Sequence, residues 1–185
     1  MVGRFKFLLC FCMIVISISS FAQKRIALGL NFTSEVITNS KVVAGVGIIS
    51  DFKLNKHSGI ESGLYYRTYK NTFDFTSNNT YYQAIVSERH ISLPILYKFY
   101  SRILNFSVGP TFDFYLGWKQ INTSQNFIIK SYTIDENFNI GVMGKLSKEI
   151  KISHRFFLEP EIRFNPIFTN RVYLGIGIAG KYLAK

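Results

Sequence analysis

The sequence predicts an all-β chain, a transmembrane up-and-down antiparallel β-barrel of about eight strands preceded by a cleaved export signal. Three observations carry that expectation. Apolar and polar residues alternate with a period of two from residue 26 almost to the end. The links between the alternating segments are short and long in turn. The chain is 16% aromatic and only 18% charged, against about 25% charged in soluble domains.

The first segment is an address rather than a strand. Arg4 and Lys6 precede an apolar run from Phe7 to Ser19, and Ser20-Phe21-Ala22 offers small residues where a signal peptidase reads them. The run is shorter than the roughly 20 residues that a helical span needs. Cleavage is expected after Ala22, giving a signal peptide at 1–22 and one barrel domain at 23–185. Cys10 and Cys12 both lie in the signal, so no disulfide stiffens the mature domain.

The strands follow in order. Ile26, Leu28, Leu30 and Phe32 share one face of the first, with Ala27, Gly29 and Asn31 on the other. The second sets Val42, Ala44, Val46 and Ile48 against Gly45, Gly47, Ile49 and Asp51. The third sets Ile60, Leu64 and Tyr66 against Glu61, Tyr65, Arg67 and Tyr69. In the fourth, Ile91, Leu93, Ile95, Tyr97 and Phe99 interleave with His90, Ser92, Pro94, Leu96 and Lys98. The fifth places Phe106, Val108, Phe112, Phe114, Leu116 and Trp118 opposite Ser107, Thr111, Asp113 and Tyr115. Phe138, Ile140 and Val142 oppose Asn139, Met143 and Lys145 in the sixth. Leu158, Ile162 and Phe164 oppose Glu159, Glu161 and Arg163 in the seventh, and Leu174, Ile176 and Ile178 oppose Tyr173, Ala179 and Lys181 in the last.

Tight turns are expected at residues 55–58 and 101–103, and long polar loops at 71–84 and 119–133. The sixth and seventh strands are joined by a turn somewhere between 147 and 155, a position the sequence does not fix.

Which face meets lipid is decided by bulk. The polar face is too small to cover a barrel in water, whereas the apolar face is too aromatic and too continuous to fit inside one. Tyr97 and Phe99 at one rim, Tyr66 and Trp118 at the other, and Tyr182 near the carboxyl end are the expected interfacial girdle. The lumen then holds Glu61, Asp113, Glu159 and Glu161 with Arg67, Lys98, Lys145, Arg163 and Lys181. Buried charge needs partners, and these nine are expected to form a polar network that fills the barrel.

The segment Leu93-Pro94-Ile95-Leu96-Tyr97-Lys98, a short turn, and then Val108-Gly109-Pro110 resembles the Bacteroidota outer-membrane β-barrel family called PorT-like. Ser20-Phe21-Ala22-Gln23, Gly63-Leu64-Tyr65-Tyr66 and the Glu159–Phe164 strand are similar to that pattern too. The resemblance implies a small barrel of the cell outer membrane, and for one branch an accessory part in assembling a secretion machine. The chain ends in Tyr182-Leu183-Ala184-Lys185 where such barrels commonly end on an aromatic, which leaves Tyr182 as the assembly signal.

Composition and spacing exclude other classes. Without Arg4 and Lys6 the formal charge falls from +11 to +9, but the cations are scattered singly, which argues against nucleic acid and for anionic membrane lipid or lipopolysaccharide as partner. His90 and Ser92, two apart on one strand, resemble the pair of a lipid A-modifying enzyme, but they face the lumen and not the lipid. Glu159 and Glu161 sit in a barrel too narrow for a glycan cleft. His57 and His154 have no second ligand at metal spacing. The expectation is therefore no enzyme, no cofactor and no metal. Any partner protein would meet the aromatic loops at 71–84 and 119–133.

Overall fold

The computed structural model describes residues 26–37, 42–77, 80–123, 137–168 and 171–184. The signal peptide expected at 1–22 lies outside these. Nine strands are present among the described residues: β1 (Ile26–Ile37), β2 (Val43–Lys53), β3 (Ser58–Ser77), β4 (Thr80–Phe99), β5 (Asn105–Thr123), β6 (Phe138–Ser147), β7 (Ile150–Lys151), β8 (Phe156–Ile167) and β9 (Arg171–Ala184). Every pairing is antiparallel between neighbours, β1 pairs with β9, and β6 pairs with β8, so eight strands close into a barrel. Closure leaves no free edge in the wall. The two-residue β7 pairs with the start of β8 at one rim.

The seams differ in strength. β1 and β9 are zipped through twelve residue pairs, from Ile26↔Ala184 to Ile37↔Tyr173. β6 and β8 share five, interrupted between Gly141 and Gly144. The Asn165 side-chain amide donates to the Val142 carbonyl oxygen at 2.9 Å there, standing in for a ladder bond.

The barrel is inside out relative to a water-soluble protein. Ile48, Ile176 and Ile162 point outward with 62%, 64% and 56% of their surface exposed, while Lys98 and Glu159 are fully buried. Aliphatic and aromatic residues on the outer wall and charges in the lumen suit a lipid solvent. β2, β6 and β1 have 11, 10 and 12 residues, enough for a tilted crossing of about 9–11 residues. Small residues make room inside. A Cβ on Gly47 would lie 2.6 Å from the Tyr65 ring and one on Gly63 3.2 Å from it, so the ring lies across both glycines.

Two expectations about connections change. Residues 71–84 are not a loop. β3 and β4 continue as a paired arm from Asn71↔Val86 to Ser77↔Thr80. An arm that has left the lipid needs no apolar face, so its polar composition reads as loop while its backbone stays laddered. The stretch 119–133 begins as strand, since β5 runs to Thr123, and residues 124–133 lie outside the described set. Between 147 and 155 there are two breaks: a link at Lys148 and Glu149, then a tight turn at 152–155 closed by Ile152 N–H donating to the Phe156 carbonyl at 3.0 Å.

Candidate functional site

Alternation delivers side chains from all eight strands of the wall to one interior. Lys98 of β4 reaches Asp51 of β2 at 2.8 Å, Glu61 of β3 at 3.2 Å and Glu159 of β8 at 2.7 Å. Lys181 of β9 joins the same acids, 3.0 Å from Asp51 and also paired with Glu159. Lys145 of β6 links Glu61 to Glu161, lying 2.9 Å from the latter. Glu161 passes the chain to Arg163, Arg163 lies 3.4 Å from Glu35, and Glu35 lies 3.4 Å from Arg67. Arg67 Nη1 donates to Asn165 Oδ1 at 2.7 Å, and Asn165 donates in turn to Thr111. These contacts form one continuous ladder along the lumen. Tyr65 adds its ring under the Arg163 guanidinium at 4.7 Å.

A second cluster sits beyond that ladder. Glu88 of β4 is fully buried, with His90 Nε2 at 3.0 Å, Arg171 at 3.1 Å and an Asn71 amide donating at 2.7 Å. His90 is thus held by Glu88, and Ser92 is sealed inside the wall with no exposed surface. No described contact joins the two as nucleophile and base.

At the short-turn end, Tyr100 donates to Asp51 Oδ1. Burial and the Asp51 charge push the pKa of its phenol well above the ordinary range, so it stays a donor. Glu149, in the link after β6, approaches Lys98 at 3.7 Å, and burial pushes its carboxyl up. Asp51, Glu149 and Glu159 converge closely enough to suggest a cation, but the Lys98 ammonium lies against all three. That ammonium supplies the positive charge a metal would bring.

Residues 16–133, more than half of the 185-residue chain, match the family described as outer membrane protein beta-barrel domain. The chain belongs to that family. It is similar in fold to the solved structure of Ail, the attachment invasion locus protein of Yersinia pestis, with 9% identity, a TM-score of 0.50, and coverage of 87% of this chain and 97% of that one. The outer membrane protein OprG from Pseudomonas aeruginosa is also similar, with 8% identity, a TM-score of 0.52, and coverage of 86% and 93%. No curated protein matches the sequence.

Within this outer-membrane barrel, the nine charged residues expected in the lumen are all buried there. Eight of them join the ladder. Asp113 does not, having no ion pair among the described residues although it faces inward between Ser92 and Asn139. The lumen also contains acids that sequence reasoning left out of the network, Glu35 and Asp51 in the ladder and Glu88 in the second cluster. Glu35 keeps the phase of Asn31 and Thr33, Asp51 that of Ile49, and Glu88 that of His90. Asp51 was already on the inner face of the second strand, and extending the period of two past the apparent strand ends would have found Glu35 and Glu88.

The aromatic residues divide. Tyr97, Phe99 and Tyr182 lie on the outer wall near the short-turn rim, and Tyr182 receives a hydrogen bond from Arg155 at 3.2 Å. Tyr66 is outward, opposite Ile91. Trp118 is different. A bulge at Leu116 shifts the register from His90↔Tyr115 to Arg89↔Gly117, with Gly117 at φ 138°, and Trp118 then pairs with the inward-facing Glu88. The extra residue moves Trp118 to the inner phase, where simple alternation had put it outside.

Proposed function

We propose that this protein is a non-enzymatic barrel of the cell outer membrane, exported by a signal peptide at 1–22. Its lumen is plugged, and it acts as a structural scaffold presenting surface arms. The observation that carries this reading is the ion ladder from Lys98 to Arg67, built from side chains of strands on all sides of the wall. Eight strands leave room for side chains and none for an aqueous channel, and charges paired in this way are costly to separate. Lumen-facing, Glu88-bound His90 and buried Ser92 support the non-enzymatic side of the reading.

The β3–β4 arm and the far end of β5, where Thr123 pairs with Ala84, stand at the end opposite the short turns, the end that faces outward in such barrels. They are the surfaces for a partner protein, and outer-leaflet lipopolysaccharide is the anionic neighbour of the wall. Purified protein in planar bilayers is expected to give no steady conductance, and a sustained porin-like current would overturn the plug. An epitope inserted between Ser77 and Thr80 is expected to be detected on intact cells. Detection only after lysis would overturn the surface role.

The PorT-like sequence at Leu93–Lys98 and Val108–Pro110 favours a second reading, an accessory component of an outer-membrane protein assembly or secretion machine. Deletion of the gene separates the two. An unchanged secretome eliminates the machine, and a general loss of secreted proteins establishes it.

A further inference from the structure

The short-turn rim carries charge that neither the wall nor the lumen uses. A cavity of about 310 Å³ opens among the β2–β3 turn, the β4–β5 turn and the β6–β7 link, lined by Lys53, Lys56, His57, Arg102, Lys148 and Glu149. Four cations against one carboxylate give the lining a formal charge of +3. Among the described residues none of the four has a carboxylate within ion-pair distance, and Glu149 is turned toward Lys98.

The turns that carry the cations are tied to one another. Tyr100 N–H donates to the His57 carbonyl at 2.9 Å, tying two turns together. Lys148 Nζ donates to the Arg102 and Ile103 carbonyls at 2.7 and 2.5 Å, tying in the third. Like charges held together in this way repel one another unless an anion sits among them.

Exposed apolar residues alternate with the cations on the same turns. Leu54 lies between Lys53 and Lys56, Ile103 and Leu104 follow Arg102, and Ile150 and Ile152 flank Lys151. Ile103 is 76% exposed. A soluble anion needs the cations alone. A lipid needs both, a charged seat for its phosphate and apolar side chains beside it for its glycerol and upper acyl chains.

We propose that the short-turn rim is a binding site for the phosphate headgroup of an anionic phospholipid of the inner leaflet, seated among Lys53, Lys56, Arg102 and Lys148. The inference rests on the outer-membrane reading, which puts short turns at the periplasmic leaflet. It gives the barrel a lipid-specific anchor at the rim opposite its surface arms.

The test is native mass spectrometry of the full chain released from mixed phosphatidylglycerol and phosphatidylcholine micelles. Phosphatidylglycerol is expected to be retained preferentially, and the preference to fall about fivefold for each cation removed in Lys56→Ala and Arg102→Ala. Inorganic phosphate at millimolar concentration is expected not to displace the lipid. Equal retention of both lipids, an unchanged preference in the double variant, or displacement by inorganic phosphate would each overturn the proposal. Heat-modified gel mobility is read on the same samples. Absence of selectivity in the folded, unsubstituted barrel overturns the lipid site alone, and failure of that chain to fold in any lipid overturns the barrel reading with it.

Discussion

The ammonium of Lys98 lies 2.7 Å from Glu159 Oε1, joining β4 to β8 across 61 positions of sequence. Neither side chain has access to solvent. Each is therefore tolerable only because the other is present, together with Asp51, Glu61 and Lys181.

Removing one member should be expensive. Lys98→Met leaves three acids sharing the remaining lysines, and the expected loss is about 3–5 kcal/mol. Urea titration of the folded barrel in vesicles, followed by the fluorescence of the single tryptophan, measures it. Adding Glu159→Gln should restore part of the loss, since the double variant removes a charge of each sign. Additive losses would show that the two groups do not interact.

On the outer wall the sign is reversed. Ile176 is 64% exposed midway along β9, and Ile176→Arg is expected to cost about 2–4 kcal/mol in a bilayer. In a barrel surrounded by water the same change would be close to neutral, so the same urea titration tells the two solvents apart.

The Leu116 bulge makes its own prediction. Trp118 shares the face of Glu88, so acyl chains brominated at any depth should leave its emission largely unquenched. Strong quenching by shallow bromines would place the indole in the outer girdle and contradict the register.

These features were unequally legible in the sequence. The wall was readable because an apolar outer face and a polar inner face impose strict alternation, as in Ile91 to Phe99. The direction of Glu61, Lys98, Lys145, Glu159 and Lys181 follows from that phase alone. Which charges pair does not follow, because it depends on register and closure: Lys145 meets Glu61 across the barrel interior, 84 positions apart, and Asp113 has no ion pair among the described residues. The β3–β4 arm was hidden because backbone pairing above the lipid carries no apolar signature. Trp118 was misplaced because one inserted residue reverses every later side chain, and Leu116-Gly117 looks no different from regular strand until its partner strand is known.

The claim that the outer wall meets lipid is tested most directly by spin labels. Cys10 and Cys12 are the only cysteines, so a chain beginning at Gln23 accepts single labels at Ile48, Leu64 and Ile176, with Lys56 in the β2–β3 turn as the water-exposed reference. In bilayers, the first three nitroxides should collide readily with oxygen and poorly with a water-soluble nickel chelate, and Lys56 should do the opposite. Nickel accessibility at Ile48, Leu64 and Ile176 equal to that at Lys56 would contradict the account.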